Sequence, residues 1–164
     1  MKTPAILLIV IIFVLSSFSP PAKSYTYESD KGKISAAFPS EFESSVADGE
    51  SYSTIQVTCT LDEQSYLLSY TIYETAVSKE EGLEGVVLTA FANAIGGDIL
   101  SKEKWTTKGL EGVKARMYSE ESTAYVDYIV VFKGDIQYQF ACYALENAWN
   151  EKKAKAFFKT IQIQ

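Results

Sequence analysis

Strict two-residue alternation constrains this chain more than any other feature. Ile55, Val57, Cys59 and Leu61 alternate with Gln56, Thr58 and Thr60. After a turn at Asp62–Ser65 the pattern resumes, with Tyr66, Leu68, Tyr70 and Ile72 set against Leu67, Ser69, Thr71 and Tyr73. Successive side chains of a strand point to opposite faces, so this spacing predicts a hairpin with one buried and one wetter face. Ile136, Tyr138, Phe140, Cys142 and Ala144 repeat the pattern against Gln137, Gln139, Ala141 and Tyr143. Long strands are expected at Val113–Ser119, Thr123–Lys133 and Asp135–Leu145, turning at Glu120–Ser122 and Lys133–Asp135. Short strands are expected at Tyr25–Ser29 and Lys33–Phe38, around Asp30-Lys31-Gly32. An edge strand is expected over Ser40–Val46, with a loop over Ala47–Glu50. Ile99–Trp105 leads into a Gly-containing loop, Thr106–Gly112.

Two segments carry the helical period instead. Leu83, Val86, Val87, Ala90, Phe91, Ala94 and Ile95 recur at steps of three and four and form one apolar stripe. Ser78 and Glu81 have the spacing of a capping box, and Gly96-Gly97 supplies a stop. Near the end, Ala154, Phe157, Phe158 and Ile161 form a second stripe among lysines, with Asn147 as its expected cap. Strands joined by short turns pair antiparallel, and amphipathic helices can cover the sheet. The expected fold class is α+β: an antiparallel sheet of about six or seven strands with two main helices packed on it.

The start of the chain reads as an address. Lys2 precedes an unbroken apolar run, Ala5–Leu15, and Ala22-Lys23-Ser24 is a small-x-small cleavage pattern. Residues 1–24 are therefore expected to be a signal peptide, with a mature domain over 25–164 that is secreted or periplasmic. The apolar run falls short of the roughly 20 residues a spanning helix needs, so no integral membrane segment is expected after cleavage. Loss of Lys2 and Lys23 takes the formal charge from −6 to −8. Such a surface repels nucleic acid and anionic lipid, and keeps an exported domain soluble.

Histidine is absent, which removes the imidazole base and the commonest metal ligand. No nucleophile elbow, phosphate loop or zinc-protease segment occurs. Ser101-x-x-Lys104 lies in an expected strand, where the penicillin-recognising motif would open a helix. Glu120-Glu121 and Asp62-Glu63 fall in turns, where acids are solvated rather than opposed across a cleft. Asp127 stands inside an apolar strand, either on the wet side with Tyr125 or paired across the sheet with Arg116 or a lysine. Cys59 and Cys142 both fall at inward positions; they would bridge in an oxidising compartment if their strands are neighbours, and otherwise pack as small hydrophobes. No cofactor or metal site is expected. The expected activity is non-enzymatic binding of a protein or envelope component. Its contact surface would hold Trp105, Gly109, Gly112, Glu120 and Glu121, because loops on a rigid sheet carry recognition. The alternatives are a carrier of a small apolar ligand, with a pocket between the first helix and the sheet, and, more weakly, a carboxylate-dependent hydrolase.

Several segments together resemble the PsbP-like superfamily. They are Ile34-Ser35-Ala36-Ala37-Phe38-Pro39 followed by Phe42, the helix after the hairpin, Gly109-Leu110-Glu111-Gly112 leading into a strand, and Phe157-Phe158-Lys159-Thr160-Ile161. The resemblance lies in the order and texture of elements across most of residues 25–164. It implies an α-β-α sandwich. It also implies an accessory or binding role, and it transfers no active-site residues.

Overall fold

The computed structural model describes residues 25–77 and 82–164. The leader over residues 1–24 and the Ser78–Glu81 capping box lie outside the described residues. Seven strands form one antiparallel sheet in the order β3-β4-β5-β9-β8-β7-β6. They are β3 Glu43–Asp48, β4 Tyr52–Leu61, β5 Gln64–Tyr73, β6 Gly97–Thr107, β7 Leu110–Ser119, β8 Ala124–Lys133 and β9 Ile136–Leu145. A second sheet of β1 Tyr25–Ser29, β2 Ile34–Phe38 and β10 Gln162–Ile163 has β2 at its centre. Helix α1 spans Leu83–Ala94 and α2 spans Glu151–Thr160. This is the α+β arrangement that the alternation predicts.

The turns explain the tight registers. Asp62 and Glu63 both have positive φ, as do Lys108 and Gly109. Two such residues make the left-handed turn whose twist matches a hairpin. The second turn is therefore shorter than expected. Gly109 sits in it, whereas Gly112 lies within β7, opposite Trp105 on β6 and Val131 on β8. A Cβ at Gly112 would collide with the Val130 carbonyl and Val131, so this glycine permits a close approach of neighbouring strands.

The sheet is covered on both faces. One face presents Val57, Leu68, Tyr70, Ile129, Val131, Tyr138 and Phe140 to the small sheet and α2. Phe157 of α2 packs against Phe38 and Tyr66, with ring centroids 5.1 and 5.4 Å apart. The Tyr138 hydroxyl donates to the Gly32 carbonyl at 2.8 Å, joining the layers. The other face presents Ala115, Met117, Val126, Tyr128 and Val130 to α1. There Phe91 stacks on Tyr128 at 4.1 Å.

Expectations for α1, α2 and the edge strand are corrected. The buried side of α1 is centred on Leu88 and Ala92, flanked by Leu83, Val87, Phe91 and Ile95, while Val86 is exposed. The helix starts from Gly82 without a side-chain cap. Asn147 lies in a single 3-10 turn, Glu146–Ala148, and the cap of α2 is Asn150, whose side chain accepts from the Lys153 amide at 3.0 Å. The edge strand continues to Asp48 because Val46, Ala47 and Asp48 pair with Ile55, Thr54 and Ser53.

Cys59 and Cys142 are buried, as the alternation predicts, but they are free. Tyr66 of β5 stands between them, paired with Cys59 on one side and Cys142 on the other. Two inter-strand spacings of about 4.8 Å exceed the reach of a disulfide. The condition for a bridge is not met, and each thiol packs as a small hydrophobe. Burial, then the neighbouring Asp127 carboxylate, pushes the Cys142 thiol well above its ordinary range.

Candidate functional site

Two concave regions lie on opposite faces of the large sheet. The first is a charged cleft of about 340 Å³ where α2 meets β7 and β8. Register brings Arg116 opposite Asp127. The Asp127 side chain is only 1 % exposed. Arg116 Nε donates to Oδ1 at 2.7 Å and an Arg116 terminal nitrogen to Oδ2 at 2.9 Å. This bidentate geometry satisfies both carboxylate oxygens. The guanidinium also reaches Glu151 at 3.3 Å and lies over the Trp149 ring at 5.4 Å. The Asp127 hydrogen bonds raise the Arg116 pKa further above its already high value. Hydrogen bonds from Lys155 and Arg116 hold Glu151 down to about 2. Lys114 pairs with Glu103 at 2.7 Å on the same wall. Each cation of the cleft thus faces an acid of this chain, and Arg116 fastens the start of α2 to the sheet.

The second region is an apolar groove of about 420 Å³ at the end of α1. Phe91 and Ile95 form its helix wall; Leu67, Val126, Ala141 and Tyr143 form its floor; Ser119, Ser122 and Glu63 stand around it. It exists because α1 ends at Ala94, and the polar half of this sheet face begins at β5. There Thr54 and Thr71 hydrogen-bond at 2.8 Å, and Tyr73 donates to Gln137 at 2.7 Å.

The expected contact residues are divided by this geometry. Trp105 is half-buried, packed toward Phe140 with ring centroids 6.1 Å apart. Gly109 lies at one end of β7 and the Glu120–Glu121 turn at the other. Only that acidic turn belongs with the groove: Ser122 lines it, and a Cβ at Gly96 would lie 3.5 Å from the Glu121 carboxylate. Ser101 lies on the wall of the charged cleft, paired with Arg116 within β6–β7, so its strand setting stands. Among the described residues, no group of three or more carboxylates or thiols converges on a common point.

No protein-family model matches the chain, and no curated protein matches it in sequence. Solved structures do. The solution structure of cyanobacterial PsbP (CyanoP) from Synechocystis sp. PCC 6803 superposes with a TM-score of 0.64. It covers 87 % of this chain and 94 % of that one, at 9 % identity. The fold is PsbP-like. A crystal structure from Bacteroides thetaiotaomicron VPI-5482 aligns at 11 % identity and a TM-score of 0.41, over 85 % of this chain and 48 % of that one. Within the PsbP-like fold, the charged cleft lies on the α2 side and the apolar groove on the α1 side. No helix among the described residues is long and apolar enough to cross a membrane.

Sequence reasoning offered Asp127 either the wet side with Tyr125 or a cross-sheet partner in Arg116 or a lysine, and the structure pairs it with Arg116. It missed Trp149 and Glu151, which reach the pair only because the 3-10 turn after β9 redirects the chain. It also missed the groove, since its walls come from β5, β8, β9 and α1, and no short motif spans them.

Proposed function

We propose that the chain is an exported, non-catalytic binding domain serving a protein or envelope component. The state of Asp127 carries this reading. It is the one acid fully buried among the described residues, and both its oxygens are engaged by Arg116. A general acid or base needs an oxygen free to exchange a proton with a substrate. Asp127 instead anchors a helix. The leader pattern of residues 1–24 supports export, and the PsbP-like fold agrees with an accessory role. The exposed acids Glu120 and Glu121 border the groove, which supports a partner-contact role for this turn. Chromogenic ester, glycoside and phosphate substrates should show no turnover above buffer. A turnover lost in Asp127→Asn or Glu121→Gln would overturn the reading.

The groove favours a second reading, a carrier of a small apolar ligand. Its volume falls within the roughly 300–1,000 Å³ of small-molecule sites, and its floor is largely apolar. An anilinonaphthalene dye should brighten on the wild-type protein and lose that response in Ala124→Phe. Equal brightening in both rejects the groove as a ligand site.

A further inference from the structure

The two edges of the seven-stranded sheet are built differently. An open edge presents unpaired N–H and C=O groups, and proteins normally guard it with lysine, proline or a bulge. The β6 edge is guarded. Its register shifts between Ile99 and Ser101, and Lys102 and Lys104 are exposed along it. The β3 edge has none of these. Glu43-Ser44-Ser45-Val46-Ala47-Asp48 pairs residue for residue with β4, without a shift, and all six residues are exposed. The Gly49 amide donates to the Tyr52 carbonyl at 2.8 Å. Antiparallel pairs alternate between bonded and non-bonded positions, which turns the amides and carbonyls of Ser44, Val46 and Asp48 to the open side.

Charge chooses what fits there. The centre of β3 is small and neutral, and acids stand at both ends: Glu41 and Glu43 before it, Asp48 and Glu50 after it. Each end also opens into a cavity that joins acids to tyrosine rings. One, of about 370 Å³, is lined by Glu41, Glu43 and the exposed Tyr143. The other, of about 530 Å³, is lined by Asp48, Glu50, Tyr52, Tyr73 and Glu74, with Lys31 as its lone cation. Carboxylates beside aromatic rings suit an ammonium or guanidinium group. A second copy of this chain fits poorly. Two-fold antiparallel pairing of β3 with itself brings the Glu41 and Glu43 end of one copy alongside the Asp48 and Glu50 end of the other, and acids gathered on both sides of such a seam repel.

We propose that β3 is a strand-addition site for an extended peptide segment with a small or β-branched centre and a basic residue at each end. The segment adds an eighth strand through its backbone, and its basic ends enter the two acid–tyrosine cavities. This rests on the reading of the protein as a binding domain and names the chemistry of its partner. The site shares Tyr143 with the groove and no lining residue with the cleft.

The test uses a fluorescein-labelled peptide with lysine at both ends and alternating threonine and valine between them. A second peptide has glutamate at both ends. Polarisation should show saturable binding of the lysine peptide and at least tenfold weaker binding of the glutamate one. Amide exchange at Ser44, Val46 and Asp48 should slow when the lysine peptide binds. Val46→Pro removes only an outward-facing amide, and should weaken binding at least tenfold with the circular dichroism spectrum unchanged. If Val46→Pro disturbs the fold, Glu43→Lys/Asp48→Lys serves instead, and should reverse the preference between the peptides. Equal binding of both peptides, or binding without slowed exchange at those three amides, overturns the proposal. So does a concentration-dependent dimer that competes with the peptide. None of these readouts involves substrate turnover, so they fail or succeed separately from the non-catalytic reading.

Discussion

The two faces of the large sheet are covered by helices of similar length, yet they are finished differently. On the α2 side, a side-chain cap, an acid in the first turn and a lysine in the last complement the helix ends. The small sheet extends the cover, and aromatic rings from α2, β2 and β5 interlock. On the α1 side the helix starts at a glycine, has no basic residue in its last turn, exposes Val86 and packs chiefly on β6, β7 and β8. The tightly closed face does structural work, and the loosely closed one leaves an apolar groove. An amphipathic stripe therefore specifies that a helix will pack, while cover is set by where the helix stops.

The largest expected effects test the closed face. Arg116→Ala leaves Asp127 buried without its partner and should cost about 3–5 kcal/mol, read from urea unfolding. Arg116→Leu/Asp127→Leu should recover much of that loss. Recovery would show that the pair fixes the position of α2 more than it adds stability, and its absence would mean that the pair itself is strongly stabilising. Phe157→Ala should cost about 3–5 kcal/mol, and Leu88→Ala on the other face about 2–3 kcal/mol. A Leu88 loss at or above that of Phe157 would erase the distinction between the faces.

Alkali should act through both faces, because burial raises the Tyr128 phenol beneath α1 as well as groups on the α2 side. Burial pushes the Tyr138 phenol up to about 12; Tyr66 rises to about 12 for the same reason, with Gln64 pulling the other way. Cys142 rises further. These folded-state pKa values are raised, so the fold holds the neutral forms. Their contribution is complete below the ordinary thiol and phenol values, about 8.5 and 10. It is lost as pH climbs from there through about 12. Tyrosinate absorbance at 295 nm should therefore rise together with loss of far-ultraviolet dichroism. Buried tyrosines ionising while the fold persists would contradict the closed packing. Smaller still, Asn150→Ala should cost about 1 kcal/mol, and the exposed Val86→Ala should stay within about 0.5 kcal/mol.

Much of this architecture was legible in the residues. Period-two alternation located β4, β5 and β9 and assigned their inward residues, because a strand exposes its pattern without reference to its neighbours. The stripe of α2 was equally plain, since lysines fill its other side. The face of α1 was misread because Val86, Val87, Leu88, Ala90, Phe91 and Ala92 are apolar nearly all round the helix. Its orientation is decided by Tyr128 and Met117 beneath it. The Asp62-Glu63 and Lys108-Gly109 turns read as longer loops, as residues other than glycine gave no hint of left-handed backbone. Of the candidate sites, Arg116 with Asp127 could be read from strand parity. The groove and the acid–tyrosine cavities could not, because each collects side chains from elements far apart in the chain.

The pairing at the centre of the small sheet governs when the domain can close. Ala37 of β2 donates its amide to the hydroxyl of Thr160, 123 positions later, and its carbonyl faces the same hydroxyl; β10 completes the same sheet. Such contacts have high contact order: the whole intervening chain must be gathered before they form. The β3–β4–β5 and β6–β7–β8–β9 meanders can assemble from successive hairpins and then join at β5–β9, but β2 has no lasting partner on its β10 side until the last turn of α2 exists. The final layer is thus a latch, and a nascent chain passes through its synthesis, and through any export step, with Ile34 and Phe38 still uncovered.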